Sequence, residues 1–121
     1  MALVHADPGS VIDVRPLDGR LQATKTHALL KTASLELMRV VLAAGKSLPP
    51  HSVAGEITVQ CIEGRAWLRA ESGDHLLAAG DLVLLSGGDR HAVEAVEDSS
   101  LLVTVLLPTQ AAAVSGATAA R

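Results

Sequence analysis

Short apolar runs alternate with clusters of turn-forming residues along the middle of the chain. Within several runs, apolar positions alternate with polar or small ones, and no long stretch shows the 3.6-residue period of a helix. The runs end at glycine, proline, serine or aspartate, which is typical of strands joined by tight turns. The predicted strands cover residues 35–42, 57–62, 65–70, 76–77, 82–85, 91–96 and 101–107.

Strands of this length and spacing predict an all-β sandwich or barrel. The last run, 101–107, is apolar on both of its faces. Since only one face of a barrel strand points inward, the other must be covered by a second layer or by a partner subunit. We therefore expect a homodimer.

The two ends of the chain differ from this middle part. Residues 1–25 are mixed in character, with a turn signal at Pro8-Gly9, and residues 109–121 are rich in alanine. Nothing in the composition divides the remainder, and no internal repeat is present. We predict a partly irregular N-terminal arm over 1–25, one barrel over 26–108 and a C-terminal tail over 109–121.

Composition narrows the range of functions. The chain has 121 residues, of which 49% are hydrophobic and 19% charged, so it can bury a core and does not resemble a disordered chain. A net charge of −3, with one Trp, no Tyr and no Phe, argues against binding nucleic acid by charge or by stacking. The single cysteine, Cys61, offers no disulfide, and neither a signal-peptide pattern nor a membrane-length apolar run is seen. We expect a cytoplasmic protein with no nucleic-acid or membrane partner.

Two segments carry glycine and histidine at regular intervals. The first follows the spacing Gly45-x5-His51-x-Val53-x3-Ile57-x6-Gly64. The second follows the spacing Gly80-x5-Ser86-x-Gly88-x2-His91-x3-Ala95. The glycines stand where sharp turns or close backbone approach are expected. Glu63 and Arg65 flank Gly64 and are predicted to form a solvent-exposed hairpin end.

This spacing resembles the two motifs of the cupin superfamily, in its small single-domain, RmlC-like form. The resemblance implies a double-stranded β-helix, or jelly roll, with a site in the barrel mouth. In metal-binding cupins the motifs supply three histidines and one glutamate, and only His51 and His91 match those positions here. Val53 and Ile57 stand where the second histidine and the glutamate belong. Two imidazoles alone hold a divalent transition metal poorly.

Nearby residues offer further donors. Alternation along a strand puts Glu56 and Gln60 on the face opposite Ile57, unless a bulge after Gly55 turns them inward. Cys61 shares its face with Ile57, so it points toward the cavity, either as a small buried hydrophobe or as a ligand.

Three functions are compatible with the sequence. The resemblance implies a metal-dependent small-molecule enzyme of the oxygenase or isomerase type, which needs a third donor beside His51 and His91. A barrel of this size can instead enclose one small ligand without a metal, as a binder or sensor. A histidine can also act as a general acid or base without a metal. The absence of Tyr disfavours the sugar-epimerase activity found among cupin-like proteins.

We interpret the chain as a homodimeric cupin-type barrel that binds a small molecule, and the sequence does not decide whether it is an enzyme. A reduced two-histidine site either holds one divalent transition metal (Fe, Mn, Ni, Cu or Zn) or holds none. The predicted ligand-binding residues are His51, His91, Val53, Ile57, Val59 and Cys61. The predicted metal donors are His51, His91, Glu56 and Gln60.

Overall fold

The computed structural model describes residues 5–108, and within them the predicted all-β fold is confirmed. A short 3₁₀ helix precedes nine strands. The strands are β1 (His27–Lys31), β2 (Leu35–Leu42), β3 (Ser47–His51), β4 (Ile57–Glu63), β5 (Arg65–Ala70), β6 (Gly73–Ala78), β7 (Leu82–Leu85), β8 (His91–Ala95) and β9 (Ser99–Leu106), and the helix spans Asp18–Ala23. The tail over 109–121 lies outside the described residues, and the division of the chain at residues 25 and 108 stays a prediction. No helix in the described part is long and apolar enough to cross a membrane.

The strands form two antiparallel sheets. Sheet A has the order β1-β2-β9-β4-β7, and sheet B has the order β3-β8-β5-β6. Two strands, β1 and β3, were not predicted. The sequence pattern does not predict β3, because the strand contains Pro49 and Pro50, which have no N–H to donate to a sheet. They are tolerated there because β3 lies at the edge of sheet B.

The core lies between the inner faces of the two sheets. Alternation along β2 turns Val40 and Leu42 inward, where they are 4% and 8% exposed. No Phe or Tyr is available, so the core is built mainly from aliphatic side chains. Its buried members are Val40, Leu42, Ile57, Val59, Cys61, Ala66, Leu68, Leu77, Leu85, Val93, Ala95 and Leu101.

Glu63 does not belong to a solvated hairpin end, as its sequence context suggested. Its side chain is half-buried and accepts hydrogen bonds from the main-chain N–H groups of Leu17 (2.8 Å) and Asp18 (2.9 Å). The hydroxyl of Ser100, which is fully buried, donates to the same carboxylate. Glu63 therefore ties the N-terminal arm to strands β4 and β9.

A buried arginine holds the same arm from the neighbouring strand. Arg39 points out of sheet A and is only 3% exposed. Its guanidinium donates to the main-chain oxygens of Arg15 (3.0 Å) and Asp13 (3.1 Å). The arm thus lies across part of the outer face of sheet A. The N-terminal arm therefore supplies part of the cover that the outer face of β9 was predicted to need.

Replacing Glu63 with Gln is expected to lower the free energy of unfolding by about 1–3 kcal/mol, because three donors share a half-buried carboxylate and the amide keeps only one neutral acceptor oxygen. Burial alone raises the pKa of Glu63, but hydrogen bonds from Ser100, Leu17 and Asp18 outweigh it and leave the pKa below its usual value of 4.5. The stabilising effect is therefore complete above that usual value and is lost as the pH falls through the lowered pKa.

Urea unfolding of wild type and Glu63→Gln, at neutral pH and in acid, measures this difference. Glu56→Gln is the matched control, since Glu56 is exposed and makes no such bonds. Equal stability of the two variants at neutral pH would contradict the assignment.

Candidate functional site

A cavity of about 600 Å³ opens between the inner faces of the two sheets. Its wall is mostly aliphatic and comes chiefly from β2, β3, β4, β8 and β9. The lining residues are Thr26, Glu36, Met38, Val40, Leu48, Pro49, His51, Val53, Ala54, Gly55, Ile57, Val59, His91, Val93, Leu101, Val103, Val105, Leu106, Leu107 and Pro108. This volume is within the range of about 300–1,000 Å³ typical of small-molecule sites.

His51 and His91 lie side by side in the wall of this cavity. Strands β3 and β8 pair so that the two residues are directly opposite each other. Their ring centroids are 4.4 Å apart, and the ring planes are inclined by 57°. His91 is 4% exposed, whereas His51 lies at the exposed edge of the sheet. The pairing of strands therefore brings together the two histidines that the motif spacing singled out.

Hydrogen bonds to the main chain determine how both rings are oriented. Nδ1 of His51 lies 3.2 Å from the carbonyl oxygen of Pro49, and Nδ1 of His91 lies 2.8 Å from that of Asp89. Since a carbonyl oxygen can only accept, each Nδ1 carries the proton and donates it. In the neutral ring Nε2 then has a free lone pair. The site offers two acceptor nitrogens.

The loops beside the histidines approach each other closely. The N–H of Gly88 donates to the carbonyl oxygen of Val53 at 2.8 Å, which joins the loop after β3 to the loop before β8. A Cβ at Gly87 would collide with the carbonyl oxygen of Ala54. Glycine at position 87 is therefore required by this contact, independently of any role in binding.

Three apolar residues of the predicted site, Val53, Ile57 and Val59, line the cavity. Cys61 does not, although it shares the inner face of β4 with the last two. Its side chain is fully buried in the core, and its thiol lies 3.4 Å from the carbonyl oxygen of Glu63. Burial, and then the charge of Asp81, raise the pKa of this thiol, which disfavours the thiolate needed for metal binding.

Glu56 and Gln60 do not reach the cavity either, so the structure does not bring them together with the histidines. Gln60 is paired with Leu82 on β7, a residue that is 60% exposed on the outer face of sheet A. Glu56 precedes β4 and is exposed. The pairing of β4 with both of its neighbours is regular from Ile57 to Gln60, so no bulge within the strand turns Gln60 inward.

Glu36 lines the cavity and was missed in the sequence. It lies on β2 in the same alternation as Met38 and Val40, which also line the cavity. In the sequence, Glu36 differs from its neighbours only as a carboxylate in the series of alternate positions that also contains Met38 and Val40. This does not predict a cavity residue, because the sequence does not reveal which end of the barrel is open.

The donors around the cavity do not fit a resident metal ion. Over residues 5–108, no three side chains of His, Cys, Asp or Glu are grouped closely enough to hold one. The Nδ1 hydrogen bonds suit imidazoles that bind a metal through Nε2. However, first-row metals usually take three or more protein ligands, and this site supplies two.

Several solved structures are similar to this chain. A conserved protein of unknown function from Streptococcus pyogenes has a TM-score of 0.71 and 22% identity, over 89% of this chain and 98% of that one. A cupin superfamily protein from Desulfitobacterium hafniense has a TM-score of 0.71 and 17% identity, over 85% and 100% of the two chains. The DMSP lyase DddQ from Ruegeria pomeroyi has a TM-score of 0.62 and 21% identity, over 70% of this chain and 47% of that one.

These likenesses show that the chain has the cupin fold, and they confirm the fold that the glycine and histidine spacing implied. No protein-family model and no curated protein matches the sequence.

Protein purified without a histidine tag or chelator is expected to contain far less than one equivalent of any transition metal, because only two donors are available. Elemental analysis measures this, and Zn²⁺ added afterwards should be lost on gel filtration. About one equivalent of metal in the wild type, absent from a His51→Ala/His91→Ala variant, would contradict the interpretation of the donor set.

Proposed function

We propose that this protein binds a small, mainly apolar molecule whose hydrogen-bond donor faces Nε2 of His51 and His91. The observation that carries the proposal is the presence of both rings in the wall of one aliphatic cavity. A cytoplasmic location stays a prediction.

The aliphatic wall supplies most of the expected affinity. Each buried CH₂ group of a ligand contributes about 0.8 kcal/mol. Residues from both sheets, such as Val59, Val93 and Val103, line the cavity, so a hydrocarbon body would be enclosed from two sides. No Lys or Arg lines the cavity in the described part of the chain, so nothing there favours a phosphate or a sugar acid.

The two histidines supply selectivity for a donor group. A ligand that buries their Nε2 atoms without a hydrogen bond loses about 1–3 kcal/mol for each polar atom left unpaired. A hydroxyl or N–H placed between the rings donates its one proton to one of the two Nε2 atoms, so one hydrogen bond is gained. The site is therefore expected to prefer an alcohol to an ether of the same size.

A metal-assisted form of binding is a second candidate, favoured by the two Nε2 atoms that share one cavity. The oxygenase or isomerase type of enzyme needs a third protein donor, which the described residues do not bring to the histidines. One protein of similar fold, DddQ, is a lyase. That likeness supports the view that this fold can carry an enzyme site, and it leaves the reaction of this chain open.

We also propose that two copies associate through the outer face of sheet A. Leu82, Leu84 and Leu106 are 60%, 61% and 49% exposed. They lie on β7 and β9, which flank β4 in that sheet. A partner seated there would remove these side chains from water. Light scattering at micromolar concentration should give twice the chain mass of 12.4 kDa, and the mass of one chain would contradict the dimer.

The main test compares 1-octanol with its isomer 1-methoxyheptane, which lacks the hydroxyl donor. Isothermal titration should give about tenfold tighter binding of the alcohol, from one hydrogen bond gained. A His51→Leu/His91→Leu variant keeps an apolar wall but no acceptors, so the preference should disappear in it.

A Leu82→Ser/Leu84→Ser variant is the control for binding to the outer face of sheet A, including the proposed dimer interface, and should retain the preference. No measurable binding of either compound, or equal binding of both by the wild type, would refute the proposed function.

A further inference from the structure

Glu36 is the one acidic side chain among the residues that line the cavity in the described part of the chain, and no Lys or Arg lines it. The other polar lining groups are the two histidines and Thr26. The hydroxyl of Thr26 is already engaged, since it accepts from the N–H of Val41 at 2.9 Å. Glu36 therefore sets the charge of the cavity wall.

Strand pairing places Glu36 level with Ile57, a residue of the first motif, across sheet A. Glu36 is opposite Val105 on β9, and Val105 is in turn opposite Ile57 on β4. With strands about 4.8 Å apart, the backbones of Glu36 and Ile57 are separated by roughly 10 Å. Glu36 does not join the histidines in a metal-binding group. The cavity wall thus carries a carboxylate on β2 in addition to the histidines on β3 and β8.

Glu36 is a half-buried residue, and its carboxylate has no ion-pair partner within residues 5–108. Lys31 is directly opposite on β1 but is exposed, and its ammonium does not come within 4.0 Å of the carboxylate. A charge bordering an apolar cavity is stabilised by a partner of opposite sign. A ligand that enters the cavity could bring that partner.

We propose that the cavity prefers a ligand with an apolar body and a protonated amine, and that Glu36 binds the ammonium group. This inference rests on the proposed function, because the aliphatic wall must first hold the body of the ligand. A hydroxyl at the other end of such a ligand would also donate a hydrogen bond to one of the two histidines. Carboxylates of the same length are expected to bind worst, because Glu36 repels them.

The test uses octylamine, 1-octanol and octanoate at pH 7.5, where the amine is protonated because alkylammonium groups titrate near pH ~10. Isothermal titration on the wild type should rank the amine first and octanoate last. Glu36→Gln should weaken octylamine about tenfold, the size expected for one charge-assisted contact. Its affinity for 1-octanol should not change, which also shows that the variant is folded.

Glu56→Gln is the matched control, because it removes the same charge from an exposed position that does not line the cavity. It should leave all three affinities unchanged. Lys31→Ala should keep or raise the affinity for octylamine. If 1-octanol binds but the amine has no advantage, or keeps its advantage in Glu36→Gln, the inference is overturned and the proposed function stands. If none of the three compounds binds the wild type, the proposed function fails and the inference fails with it.

Discussion

The pairing of β3 with β8 is the constraint on which the candidate site depends. It sets His51 directly opposite His91, with their ring centroids 4.4 Å apart. The register is irregular between Leu48 and His51, where the two prolines interrupt the ladder. Because side chains alternate along a strand, a slip of one residue here would turn His51 away from the cavity. The edge position of β3 makes this short pairing the weak point of the site.

The environment of the two rings decides what they can do. Each Nδ1 donates to a carbonyl oxygen two residues earlier in the chain. The tautomer of each ring is therefore set by the local backbone and not by a carboxylate side chain. Aliphatic side chains stand at the positions where metal-binding cupins have a histidine and a glutamate. A site with these features favours recognition of a donor group over retention of a metal ion. Glu36 adds a carboxylate to the wall from a different strand, β2.

Much of the fold could be predicted because turns and alternation are local properties. Gly64 illustrates this: its φ is +81°, and a Cβ there would meet the carbonyl oxygen of Asp98, so both turn geometry and packing demand glycine. Strand alternation also predicts the outward face for Gln60, which is paired with Leu82, and Glu56 is exposed just before β4. Their candidacy as metal donors depended on an irregularity that a sequence cannot reveal.

What could not be predicted depends on contacts between distant segments. Glu63 holds Leu17 and Asp18, which are more than forty positions away, so its surroundings suggested only an exposed turn. Cys61 was assigned to the correct face, but its depth in the barrel is set by neighbouring strands. Glu36 lies on a strand outside both motifs, and only the arrangement of the sheets brings it to the cavity wall.

The most direct test of the central claim is a long-range ¹H–¹⁵N correlation spectrum of the histidine side chains, recorded with and without 1-octanol. The account predicts that neutral His51 and His91 both carry the proton on Nδ1, and that their Nε2 resonances shift when the alcohol is added. The His51→Leu and His91→Leu variants assign the two rings. A proton on Nε2 in either neutral ring, or Nε2 resonances unaffected by a bound alcohol, would contradict the claim that these nitrogens are the acceptors of the site.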